Sequence, residues 1–114
     1  MREAIIILPK FDNTGMQTVT AHDVLRSALL SDFGGFTRCD CVGSWRDPET
    51  GAVFDDDSYM YCVAMEPGPK NDVKLFAAAI FAAECARQEA IYVRDANGGV
   101  HILRPTKNEA KLAA

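Results

Sequence analysis

The chain has 114 residues, which fits one domain rather than two, with 48% apolar and 25% charged residues. At this size about two-thirds of the unfolded surface can be buried, so no disulfide or metal staple is required. A net charge of −4 argues against a primary role on nucleic acid, which needs a basic face, and no stretch approaches the roughly 20 apolar residues of a membrane span.

Met1-Arg2-Glu3 leads straight into Ile5-Ile6-Ile7-Leu8, too short for a secretory signal, so a cytoplasmic protein is expected. Residues 4–8 form a continuous apolar run with β-branched content, the mark of a central strand covered on both faces. Pro9 cannot donate a ladder hydrogen bond, so pairing should fade there. Asp12-Asn13-Thr14-Gly15 is a turn signal. Thr20 with Asp23 resembles a capping box, and Val24, Leu25, Ala28 and Leu29 repeat at helical spacing. Gly34-Gly35 should end that helix near Phe33.

Residues 36–45 and 52–65 read as two strands around a Pro- and Gly-bearing turn, Arg46-Asp47-Pro48-Glu49-Thr50-Gly51. In the second strand Tyr59, Tyr61, Val63 and Met65 alternate with Met60, Cys62 and Ala64, so both faces are apolar. Pro67-Gly68-Pro69 breaks the chain, and Asn71 is placed to cap a helix over 72–87, rich in alanine. Residues 90–94 form the next strand. Asn97-Gly98 favours a hairpin turn, and residues 100–103 return as a short edge strand.

The expected fold is therefore α+β: a ferredoxin-like βαββαβ antiparallel sheet, two helices on one face, and a C-terminal edge strand. It forms a single domain over residues 1–110. Residues 111–114, Lys-Leu-Ala-Ala, look like an expression-vector tail. Two helices cover one sheet face only. The other face is apolar, and the simplest cover is a second copy of the same sheet, so a homo-oligomer is expected.

Cys39, Cys41, Cys62 and Cys85 lack zinc-ribbon spacing and read as reduced, partly buried thiols. Asp55-Asp56-Asp57 is the densest charge cluster. It is either a solvated strand entrance or an anionic spot for a cationic ligand or a metal, and no histidine near it in sequence supports a metal. Trp45 either plugs the sheet edge or forms an aromatic wall against a flat base or a cation. Arg87-Gln88-Glu89, at a helix–strand junction, either caps the helix or offers an amide and a carboxylate to a ligand. His22 is expected exposed in a first helical turn and His101 in an edge strand, neither with a catalytic role. No Ser-His-Asp order, P-loop, GxGxxG or HExxH pattern occurs.

Taken in order, Phe33-Gly34-Gly35-Phe36-Thr37, Gly43-Ser44-Trp45-Arg46, Asp56 with Ser58, the small-residue helix and Arg87-Gln88-Glu89-Ala90-Ile91-Tyr92-Val93 resemble the phage-encoded S-adenosylmethionine lyases, formerly called hydrolases. The set spans residues 33–103. It is also similar to small bacterial proteins of unknown function that carry Gly-x-Trp and a Gln-Glu before the last strand.

The lyase resemblance implies a homotrimer of ferredoxin-like subunits with active sites between them. It implies degradation of S-adenosylmethionine, as a phage counter-defence in the host cytoplasm, to 5′-methylthioadenosine and homoserine lactone. S-adenosylmethionine is then substrate, and no cofactor, metal, nucleic acid or membrane is called for. Asp56 and Trp45 match catalytic positions where the family carries Glu and Tyr. Gln88 and Glu89 match substrate-binding positions, and Asp57 and Tyr59, beside Asp56, are further substrate-binding candidates. The alternative, from another class, is a non-catalytic ferredoxin-like oligomeric module that binds a small ligand or a protein partner.

Overall fold

The computed structural model describes residues 1–105. The suggested boundary at residue 110 and the suggested vector tail at 111–114 lie outside the described residues. The element order is β1 (Arg2–Pro9), α1 (Val19–Phe33), β2 (Thr37–Arg46), β3 (Val53–Met65), α2 (Pro69–Cys85), β4 (Ile91–Arg94) and β5 (Val100–Leu103). The sheet runs β2-β3-β1-β4-β5, and every neighbouring pair is antiparallel. This is the expected βαββαβ sheet with an added edge strand.

Register divides the side chains between two faces. Ile6 pairs with Tyr61 and with Val93, so these three share the helix side. Together with Leu8, Leu25, Leu29, Leu75 and Ile91 they build the core. Burying each large aliphatic side chain contributes about 1.5–3 kcal/mol. Ala79, Ala82 and Ala83 are fully buried on α2, small enough to let it settle closely on the core.

Ile7 pairs with Met60 and with Tyr92, and these point to the opposite face. No element covers that face among the described residues, and its side chains are half-buried by their neighbours only. The continuous apolar run of β1 is thus covered on one side within a single chain.

The β2–β3 hairpin is longer than the sheet it belongs to. Pairing runs from Thr37 with Cys62 out to Arg46 with Val53. β1 follows β3 only as far as Pro9 with Ser58, where the proline ends the ladder. The outer part of the hairpin therefore projects as a two-stranded ribbon.

Both helix starts differ from the sequence expectation. α1 begins at Val19, with Thr18 at the cap position, and Thr20 lies inside the helix. The Thr18 hydroxyl donates to the Pro9 carbonyl at 2.7 Å, tying the helix to the end of β1 instead of capping its amides. α2 begins at Pro69, with proline in its first turn and Gly68 before it. Asn71 is inside that helix and donates its side-chain amide back to the Glu66 carbonyl at 2.9 Å.

His22 is buried, not exposed, because α1 is rotated so that Ala21, His22, Leu25 and Leu29 face the sheet. A carbonyl only accepts, so Nε2 carries the proton it donates to Pro9 at 3.0 Å. Nδ1 is then the acceptor for the Tyr61 hydroxyl at 2.6 Å. Burial pushes the His22 pKa below its ordinary 6.5. Of the four cysteines, all free thiols, Cys41 and Cys62 are partly buried as expected, whereas Cys39 and Cys85 are exposed.

Candidate functional site

A groove of about 640 Å³ opens on the uncovered sheet face, at the root of the projecting ribbon. Its first wall comes from the hairpin register. Gly43 pairs with Asp56 and Trp45 with Phe54, which places Trp45 and Asp56 diagonally on one face. The indole Nε1 donates to Asp56 Oδ2 at 3.1 Å, and the indole stacks on Phe54 with centroids 4.9 Å apart. The Trp45 ring is half exposed, so its outer face remains available to a ligand.

The second wall is the α2–β4 junction. Arg87 takes a left-handed φ of 55° at the helix end. Its amide donates to Glu84 O at 3.1 Å and that of Gln88 to Ala83 O at 2.9 Å, a Schellman closure with arginine where glycine is usual. This reversal turns Gln88 and Glu89 into the groove. The Gln88 side chain donates to the Ala86 carbonyl at 3.2 Å, which restrains the amide. Ile7 and Ser58 form the floor between the walls, and Tyr92, Ile102 and Arg104 line the far side.

Four of the sequence candidates, Trp45, Asp56, Gln88 and Glu89, thus come together from two segments. Asp57 does not join them directly. It borders an adjoining hollow of about 510 Å³ that also touches Trp45, Asp56 and Gln88. Asp55 accepts the Ser44 hydroxyl at 2.6 Å. Tyr59 lies on the opposite face of the sheet, packed edge-on against His22 with centroids 5.2 Å apart. Among the described residues no group of three or more His, Cys, Asp or Glu side chains is placed to hold a metal.

Arg104, Tyr92 and Asn13 also line the groove, and none of them is among the site residues expected from the sequence. Asn13 belongs to a turn organised by Asp12, whose Oδ1 accepts the amide of Thr14 at 2.9 Å and that of Met16 at 3.0 Å. The Thr14 hydroxyl, which donates to the same oxygen at 2.6 Å, and then those amide bonds hold the Asp12 carboxyl below its usual pKa.

The groove combines two carboxylates, Asp56 and Glu89, with an aromatic surface and an amide. It suits a ligand with a cationic centre and a flat ring. At partial exposure a carboxylate about 4 Å from a cation contributes from about 1 to about 4 kcal/mol, depending on the local dielectric. The groove holds no Ser-His or Cys-His pair that would supply a protein nucleophile.

No protein-family model matches the chain, and no curated protein matches its sequence. Two solved structures match its backbone. One is a phage SAM lyase in complex with S-methyl-5′-thioadenosine, with a TM-score of 0.65 and 16% identity over 90% of this chain and 88% of that one. The other is a phage SAM lyase in its apo state, with a TM-score of 0.63 and 17% identity over 90% of this chain and 87% of that one. The chain has the phage SAM lyase fold.

Proposed function

We propose that the protein is an S-adenosylmethionine lyase. The observation that carries the reading is the convergence of Trp45 and Asp56 with Gln88 and Glu89 on one groove, in a chain with the fold of a lyase solved with S-methyl-5′-thioadenosine. In the proposed reaction the substrate's own carboxylate oxygen attacks its γ-carbon. The new C–O bond closes homoserine lactone. The Cγ–S bond breaks with its electron pair on sulfur, releasing neutral methylthioadenosine, and no proton moves.

Such a reaction asks for a substrate folded into attack geometry, and orientation of this kind supplies several kcal/mol. It also annihilates charge, since a sulfonium and a carboxylate both become neutral. A carboxylate that gripped the sulfonium too tightly would stabilise the ground state more than the transition state. Asp56 already accepts the Trp45 N–H, which tempers its pull on a cation. In this reading Trp45 contacts the nucleoside end, Asp56 orients the sulfonium region, and Gln88 and Glu89 bind the polar parts of the substrate.

The uncovered apolar sheet face supports a homo-oligomer, for which we favour the trimer implied by the lyase resemblance, with active sites between subunits. The deciding experiment is incubation of the purified protein with S-adenosylmethionine and chromatography of the products. Methylthioadenosine with homoserine or its lactone is the expected result. Ligand binding without turnover would instead favour a non-catalytic ligand-binding module, and neither binding nor turnover would defeat the reading.

A further inference from the structure

On the helix side of the sheet, the edge strand β2 carries Arg38 and Asp40 opposite Tyr61 and Tyr59. Beside them, between α1 and the strands, lies a cleft of about 370 Å³, within the size range of small-molecule sites. It is on the face opposite the groove and shares none of its lining residues. Three cations reach it from three separate elements: Lys10 from the end of β1, Arg26 from α1 and Arg38 from β2.

These cations are held in place without being used up. Lys10 Nζ sits 4.5 Å and Arg38 Cζ 4.1 Å from the centre of the Tyr59 ring. Such cation–π contacts fix the position of each head while leaving N–H donors free. Lys10 gives one donor to Asp40 at 2.7 Å, and Arg26 pairs loosely with Asp23 at 3.9 Å. Arg38 forms no ion pair among the described residues. It lies directly across from Tyr61 in the strand register, and the Tyr61 hydroxyl leads on to His22 and the Pro9 carbonyl. His22, which lines the cleft, is thus satisfied by its own polar partners, and Arg38 is held over the Tyr59 ring. Three carboxylates neighbour these cations, Asp23 beside Arg26 and Asp40 and Asp57 near Lys10, and Arg38 is the head that joins none of them in an ion pair among the described residues.

The mouth of the cleft is apolar. Phe11 and Val19 line it and are both substantially exposed, at 43% and 58%. We propose that this cleft is a second ligand site, for a small phosphomonoester with an apolar or aromatic body. Three cationic groups arriving from different directions match the three terminal oxygens of a phosphomonoester dianion, whereas a planar carboxylate is served by one guanidinium fork. Phe11 and Val19 then receive the organic body.

The test is a titration of the ¹⁵N-labelled full chain with phenyl phosphate, followed by amide shifts. Phenyl phosphate lacks the adenine that the groove would take. Saturable shifts centred on Lys10, Val19, His22 and Arg38 are expected. Phenol should leave these amides unmoved, and inorganic phosphate and benzoate should each bind at least tenfold more weakly. Arg26→Gln and Arg38→Gln should each weaken binding at least fivefold, and Asp56→Asn should leave it unchanged. Arg26 lies on the exposed side of its helix, so its substitution keeps the test valid even if Arg38→Gln disturbs the fold. Absence of saturation overturns the site, as do shifts centred on Trp45 and Gln88 or an affinity indifferent to Arg26→Gln. Benzoate or inorganic phosphate binding as tightly as phenyl phosphate overturns the assigned ligand class. None of these readouts depends on turnover of S-adenosylmethionine.

Discussion

Trp45 Nε1 donates to Asp56 Oδ2 at 3.1 Å across the β2–β3 hairpin, diagonally past Gly43. The bond ties an aromatic surface and a carboxylate into one unit at the groove wall. Asp56→Asn removes the charge that would face a sulfonium while keeping the shape. Formation of methylthioadenosine should fall at least tenfold, which corresponds to about 1.4 kcal/mol of transition-state stabilisation. Trp45→Phe keeps the stack on Phe54 but removes the N–H donor, and should lower the rate less. Asp56→Glu, the residue found in the lyase family, should retain activity. Equal rates for wild type and Asp56→Asn would remove Asp56 from the reaction.

Gly43 makes this geometry possible. It pairs directly with Asp56, and its missing side chain leaves the diagonal path open to Trp45. A Cβ at Gly43 would meet no atom within 4 Å, so the fold itself has room for a side chain there. Gly43→Val should therefore leave the melting temperature unchanged or slightly raised, since β-branched residues suit strands. The same side chain would fill the groove, and substrate affinity should drop at least tenfold. A stable variant with normal affinity would show that ligands do not enter between Gly43 and Ser58.

The order of elements was legible because period-2 and helical patterns alternate cleanly between Gly and Pro breaks. The rotation of α1 about its own axis was not. The stripe Val24, Leu25, Ala28 and Leu29 is apolar, but the buried set is Ala21, His22, Leu25 and Leu29, rotated by part of a turn. Spacing did place His22 in line with Leu25 and Leu29, yet a histidine counts as apolar only when a partner such as Tyr61 satisfies it. For the site, Trp45 with Asp56 could be paired from a hairpin register, and Gln88 with Glu89 could be recognised as a junction. Their convergence depends on β1 lying between β3 and β4, which is long-range topology. Arg104 carries no motif, and only the Ile91–Leu103 register brings it to the groove.

The His22 network should make stability depend on pH in a defined direction. His22 is neutral in the folded state, and burial lowers its pKa below the ordinary 6.5. Above that value the histidine is neutral in both states and its contribution is fully present. As pH falls through it, the unfolded chain takes up a proton that the folded chain resists, so stability is lost. The stability difference between wild type and His22→Asn should therefore shrink between pH 7.5 and pH 5.5 in denaturant titrations. Tyr61→Phe leaves Nδ1 without its donor and should cost about 1–3 kcal/mol at neutral pH. A wild-type advantage that grows on acidification would contradict a buried neutral His22.

The uncovered sheet face yields the last prediction. Ile5, Ile7, Met60, Cys62 and Tyr92 lie side by side on it, and Ile102, 55% exposed, extends it to the edge, while Arg94 separates Ile5 from Val100. An apolar surface this continuous is costly to hydrate and marks an interface in soluble proteins. A stable interface buries about 1,200–2,000 Å² in total, and one sheet face can supply its share. Light scattering should give a mass three times the 12.5 kDa of one chain. Met60→Arg places a charge at the centre of the face, where Met60 pairs with Ile7 and Cys39. It should lower the mass to that of one chain while leaving the far-UV dichroism intact. If sites form between subunits, methylthioadenosine production should be lost together with the mass. A monomeric wild type at micromolar concentration would rule out the assembly, and a monomeric Met60→Arg variant with full activity would place the whole reaction within one chain.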